Sequence, residues 1–191
     1  MDARVKPAHD GPEMTDLSIR AATLTDIPAI TRIYAHGVEF GTSSFELTPP
    51  DEPEMARRMS ELMGKGFPYL AADVDGALAG FAYAGLYRTR PAYRFTLEDS
   101  VYVAPDRQGR GVGRALLTAL IDAAQTRGFR QMIAVIGDSP NQAGSIRLHE
   151  ALGFRRAGIL QDVGFKHDRW RDTLLMQRAL GPGATSPPQA D

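Results

Sequence analysis

The chain predicts a single mixed α/β domain with the element order βααβββαβαββ. Three features carry that prediction. Apolar residues alternate with period two in some stretches and recur at helical spacing in others. Two of the alternating stretches meet at Asp75-Gly76, a dipeptide suited to a hairpin turn. A further one runs through a glycine-rich turn straight into a helix, the junction expected of an α/β unit.

Taken in order, Leu17–Ala21 alternates as a short strand, and the Thr25, Asp26, Pro28 cluster opens a helix with Ile27, Ile30, Ile33 and Tyr34 on one face. A loop of Gly, Thr, Ser and Pro leads to a second helix. Asp51, Glu52 and Pro53 form its first turn, and Met55, Met59, Leu62 and Met63 form an apolar stripe that reads as core packing. Strands follow at Tyr69–Val74, Ala77–Tyr87 and about Phe95–Val103. A helix over Arg114–Arg127 ends at Gly128, a residue suited to a left-handed cap. Then come a strand at Gln131–Ile136, a helix over Gly144–Leu152, and strands at Arg155–Gly164 and Arg171–Arg178. Residues 1–15 read as a disordered leader in which Met14 is an alternative start, residues 16–180 as the folded domain, and residues 181–191, rich in proline and small residues, as a disordered tail.

Composition excludes several classes of function. The 22 Lys and Arg balance 23 Asp and Glu, so the chain carries no basic surplus of the kind that holds nucleic acid. Its longest apolar stretch, Gly76–Tyr87, is short and interrupted by glycine, and no apolar core follows the first charges, so neither a membrane span nor a signal sequence is expected and a cytoplasmic location is the default. The absence of cysteine removes thiolate nucleophiles, disulfides and thiolate metal sites. His9 and His36 show no partner spacing, so no metal is expected.

The chemistry concentrates in Val101-Tyr102-Val103-Ala104-Pro105-Asp106-Arg107-Gln108-Gly109-Arg110-Gly111-Val112-Gly113-Arg114. Glycines at alternate positions leave backbone N–H groups unshielded at a helix N-terminus, where orphan donors and the helix dipole favour an anion. Arg107, Arg110 and Arg114 add fork-shaped donors for phosphate oxygens. A nucleotide-hydrolysing loop would need Lys-Ser or Lys-Thr after the glycines, and a dinucleotide fingerprint would need a third small residue where Arg114 or Leu116 stands. A merely tight turn would not require three glycines flanked by arginines.

Gln108-Gly109-Arg110-Gly111-Val112-Gly113 matches the acyl-CoA signature [QR]-x-x-G-x-[GA] of the Gcn5-related N-acetyltransferases (GNAT), whose element order the chain also resembles over residues 18–178. The resemblance implies a three-layer α/β/α fold. It implies that acetyl-CoA is the co-substrate, with its pyrophosphate on Gln108 to Arg114, its pantetheine arm along the backbone of Val101, Tyr102 and Val103, and Asn141 against that arm. Three further segments, Thr96–Val103, Ser145–Phe154 and Gly164–Trp170, resemble the group that acetylates phosphinothricin and methionine sulfoximine or sulfone. That resemblance implies a homodimer and substrate contacts at Arg88, Thr89 and Arg90 and at Glu98, Asp99 and Ser100.

An amine that is protonated at neutral pH must lose a proton before it can attack a thioester. Glu98 is the candidate base, because it lies just upstream of the pantetheine segment and shares a strand face with Ser100 and Tyr102. His149 stands where many relatives place a tyrosine near the leaving thiolate, and it reads either as acid or hydrogen-bond donor to sulfur or as a satisfied helix histidine. Arg88, Arg90 and Tyr93 suit an anionic amino acid, whereas an acidic pocket would suit a polyamine, an aminoglycoside or a peptide N-terminus. Lys166, His167 and Trp170 read as closing the pocket or a dimer contact. No residue is placed to carry the acyl group, so direct transfer in a ternary complex is expected. The alternative from another class is a non-catalytic sensor of acetyl-CoA.

Overall fold

The computed structural model describes residues 16–188. The expected leader, with His9 and Met14, and residues 189–191 lie outside the described residues. The elements run β1 (Leu17–Ala21), α1 (Ile27–Phe40), α2 (Glu52–Gly64), β2 (Tyr69–Val74), β3 (Ala77–Leu86), β4 (Thr96–Val103), α3 (Val112–Thr126), β5 (Gln131–Gly137), α4 (Ala143–Ala151), β6 (Arg155–Lys166) and β7 (Arg169–Ala179). This is the order read from the sequence. The strands form one sheet in the order β1-β2-β3-β4-β5-β7-β6, in which β4 and β5 pair in parallel and the other neighbours are antiparallel.

Alternation along β2 and β3 divides the core in two. Tyr69, Ala71 and Phe81 meet Ile30, Tyr34, Met55 and Met59 from α1 and α2 on one face. Leu70, Ala72, Ala82 and Ala84 meet Leu116, Leu117 and Leu120 of α3 on the other, where Ile146 of α4 joins them. The methionine stripe of α2 is core, with Met55 and Met59 buried. Three layers follow from two apolar helix stripes with a two-faced sheet between them.

Three boundaries differ from the sequence reading. Helix α3 begins at Val112, two residues before Arg114, because Gly111 takes the N-cap position with φ of 84°, a left-handed backbone that glycine tolerates and a larger residue resists. Strands β6 and β7 run on until only His167 and Asp168 separate them, with φ of 51° and 55°. Residues 181–188, expected as part of a frayed tail, are tied back. The Arg130 guanidinium donates to the carbonyls of Gly183 and Pro187, and Gly181 N–H donates to Gln125.

Candidate active site

β4 and β5 are paired only from Thr96 to Asp99, opposite Gln131 to Ala134, although β4 continues to Val103 and β5 to Gly137. Beyond Asp99 the two strands therefore part. On that side the backbone of Ser100 to Val103 has no strand partner, while Gly80 to Tyr83 of β3 still flank its other edge. A cavity of about 860 Å³ opens at the fork. Its base is the glycine turn that leads into α3, where Gly109 and Gly111 hold φ of 74° and 84°. Gln108, Gly113, Arg107 and Arg114 line the same end.

The other end is aromatic. Phe81, Tyr83 and Tyr102 stack across β3 and β4, and Tyr34 of α1 meets Tyr102 edge-on at 5.0 Å. Burial pushes the Tyr34 hydroxyl up to about 12, and its Oη donates to Glu46 at 2.8 Å. Glu98 is half-buried beside the last β4–β5 pair and lines the cavity. Its carboxyl is raised above the ordinary glutamate value, chiefly by burial and then by the neighbouring Asp99 charge, with the Arg88 guanidinium opposing. Across the fork, His149 of α4 meets Asp99 at 3.0 Å through Nε2 and the Ser145 carbonyl at 2.8 Å through Nδ1.

Of the expected residues, Glu98, Asp99, Ser100, Val101, Tyr102 and Val103 come together on β4 at this cavity, joined by Gln108, Gly109, Gly111, Gly113, Arg114, Asn141 and His149. The Asn141 amide donates to Asp138 at 2.9 Å. Val112 differs, because its side chain turns into the core beneath α3. Arg110 is exposed beside the turn, outside the lining. Arg88, Thr89, Arg90 and Tyr93 also lie outside it, exposed in the loop before β4. There Arg88 covers the Tyr87 ring at 4.4 Å, and Tyr93 meets the same ring edge-on.

The sequence reading named Lys166 and His167 as closing the pocket or a dimer contact but missed the rest of the roof. His36, Ser43, Ser44 and Phe45, from α1 and the loop after it, line the cavity. Buried Lys166 donates to the Ser44 carbonyl at 2.7 Å, and the His167 ring meets the Gly41 carbonyl at 3.3 Å. Desolvation lowers the Lys166 ammonium, against the raising pull of Glu46. Phe45 is seated between Gly137 and Gly164, where a methyl on either glycine would overlap its ring. The only local signals were an aromatic residue inside a polar loop and a lysine ending a strand. Trp170, read as closing the pocket or a dimer contact, is 62% exposed and packs edge-on against Phe165. A Gly164→Ala change is expected to evict Phe45, lowering stability by about 1–3 kcal/mol and raising KM for the amine more than KM for the acyl donor. Urea unfolding and steady-state kinetics would check both.

Residues 33–154 match the model of the Acetyltransferase (GNAT) family. The chain belongs to that family. It is 55% identical over 172 residues to a phosphinothricin N-acetyltransferase of Alcaligenes faecalis, covering 90% of this chain and 87% of that one. It is 39% identical over 171 residues to an L-methionine sulfoximine/L-methionine sulfone acetyltransferase of Pseudomonas aeruginosa, covering 89% and 98%. Its fold superimposes with a TM-score of 0.88 on the crystal structure of a phosphinothricin acetyltransferase from Sinorhizobium meliloti in complex with AcCoA, at 48% identity over 91% of this chain and 93% of that one. Among the described residues no helix is long and apolar enough to cross a membrane, and no group of His, Asp and Glu is arranged for a metal ion.

Proposed function

We propose that this acetyltransferase moves the acetyl group of acetyl-CoA onto the α-amine of a small amino acid of the phosphinothricin, methionine sulfoximine or methionine sulfone type, with Glu98 as general base. The observation that carries the reading is the placement of Glu98, a partly desolvated carboxylate at the crotch of the β4–β5 fork, in one cavity with an anion-binding helix N-terminus.

The site fits acetyl-CoA. The N–H groups of Gly109 to Gly113, with Gln108, Arg107 and Arg114, suit a diphosphate, and the unpaired edge of Val101, Tyr102 and Val103 suits the amides of pantetheine, with Asn141 opposite. Glu98 accepts a proton from the substrate ammonium, the freed nitrogen attacks the thioester carbonyl, and the carbon–sulfur bond breaks as the amide forms. The second nitrogen proton leaves with the thiolate, so the products are the N-acetyl amino acid and CoA.

Ser100 and Asp99 flank Glu98, and Arg88, Thr89, Arg90 and Tyr93 provide the cations and hydroxyls for the substrate's anionic groups. Glu98 must be ionised to act, so kcat/KM falls as pH drops through its raised pKa. Arg88 holds that value down, so Arg88→Gln is expected to move the acidic limb of the profile to higher pH.

The edge strand β6 exposes Ile159, Leu160, Val163 and Phe165, which supports a homodimer that covers them. Sedimentation of the protein would measure that state. The enzyme works as a cytoplasmic protein in this reading. The functional test is thiol release from acetyl-CoA with a panel of amines. Turnover with methionine sulfoximine or phosphinothricin but not spermidine is expected. Turnover only with spermidine would replace the substrate class, and binding without turnover would make the protein a sensor.

A further inference from the structure

Asp99 and His149 line the cavity as a hydrogen-bonded pair. The nearest partners of the His149 ring are the Ser145 carbonyl at 2.8 Å and the Asp99 carboxylate at 3.0 Å, both acceptors, with the Ser145 hydroxyl farther from Nδ1 at 3.4 Å, so a ring with a proton on each nitrogen satisfies both acceptors at once. No N–H remains to reach a departing sulfur. The two side chains are 5% and 2% exposed. One Asp99 oxygen is spent on His149, while Oδ1 is buried without a protein partner among the described residues. Asp99 is also the last residue of β4 to pair with β5. The pair therefore sits at the crotch of the fork, one residue from Glu98.

We propose that His149 is a positioning residue: as an imidazolium it holds and neutralises Asp99 at the fork, and so sets the charge that Glu98 meets. This rests on the reading of Glu98 as the base, and it replaces the expected role of His149 as proton donor to the thiolate. Burial alone would push the His149 ring down, but the Asp99 carboxylate and the Ser145 carbonyl outweigh it and leave the ring raised.

The titratable and charged groups that line the cavity with Glu98 are Tyr34 and His36 of α1, Tyr83 of β3, Asp99 and Tyr102 of β4, Arg107 and Arg114 at the glycine turn, and His149 of α4. Arg88 adds its field from the loop before β4. Burial raises all three tyrosines, which stay uncharged at neutral pH. His36 is exposed on α1 and remains in every variant compared below, so its contribution cancels.

The proposal gives two variants opposite signs. Asp99→Asn deletes an anion beside Glu98, so the acidic limb of kcat/KM moves to lower pH. His149→Gln deletes the cation and leaves Asp99 uncompensated, so the limb moves to higher pH. Mere loosening of the fork would lower activity in both without opposite displacements. Limbs that stay in place, or move the same way, overturn the proposal.

Nitrogen NMR of the wild-type full chain keeps the question decidable if a variant fails to fold. A His149 ring protonated at both nitrogens in neutral buffer supports the proposal, and a singly protonated ring overturns it. Wild-type protein that turns over no amine would defeat the functional reading instead, leaving the NMR result to stand on its own.

Discussion

Glu98→Gln is expected to lower kcat/KM by about 10²–10⁴-fold and to abolish the acidic limb of the pH profile, while calorimetry still reports wild-type binding of acetyl-CoA. Glutamine keeps the shape of the side chain and removes its ability to accept a proton, so the loss falls on chemistry and not on cofactor binding. The acidic limb is expected above the ordinary glutamate range because burial and Asp99 both penalise the ionised form of Glu98. Retention of wild-type kcat/KM with an unchanged profile would remove Glu98 from the role.

Gly113→Asp is expected to weaken acetyl-CoA binding by at least about 100-fold while leaving the protein folded. A Cβ at Gly113 meets Leu148 at 3.4 Å and Val103 at 3.6 Å, contacts that small adjustments absorb. A carboxylate in the first turn of α3 is favoured by the helix dipole, by about 0.3–1 kcal/mol, so thermal stability holds or rises slightly. The same carboxylate would repel the diphosphate proposed to bind at this turn. Undiminished affinity in calorimetry would show that the diphosphate binds elsewhere.

What the sequence disclosed and what it withheld divide along physical lines. The eleven main elements follow from periodicity and turn residues, which are local properties, and the glycine turn followed from the needs of an anion at a helix end. The start of α3 was read late because the left-handed cap falls on Gly111, and the pattern alone does not say which glycine takes it. Of the roof over the cavity only Lys166 and His167 were read, as closing the pocket or a dimer contact; their partners were not legible, since Lys166 and Ser44 are 122 positions apart and meet only once β6 and β7 are folded. The Asp99–His149 bond joins residues 50 apart, so their mutual compensation could not be read from spacing. Arg88, Thr89 and Arg90 illustrate the converse: chemically apt side chains in a plausible loop stay outside the cavity lining, and of the three Arg88 alone acts on Glu98 through its field.

The parted strands make the enzyme's melting temperature a gauge of its cosubstrate. Bound in the gap as proposed, acetyl-CoA would supply the hydrogen-bonding edge that β5 withdraws past Asp99, and the unfolded chain offers no such slot. At a concentration 100 times its dissociation constant, that one-sided preference adds about 2.7 kcal/mol to the folded state. Protein made while acetyl-CoA is plentiful should therefore resist heat and proteolysis better than the same chain made when it is scarce.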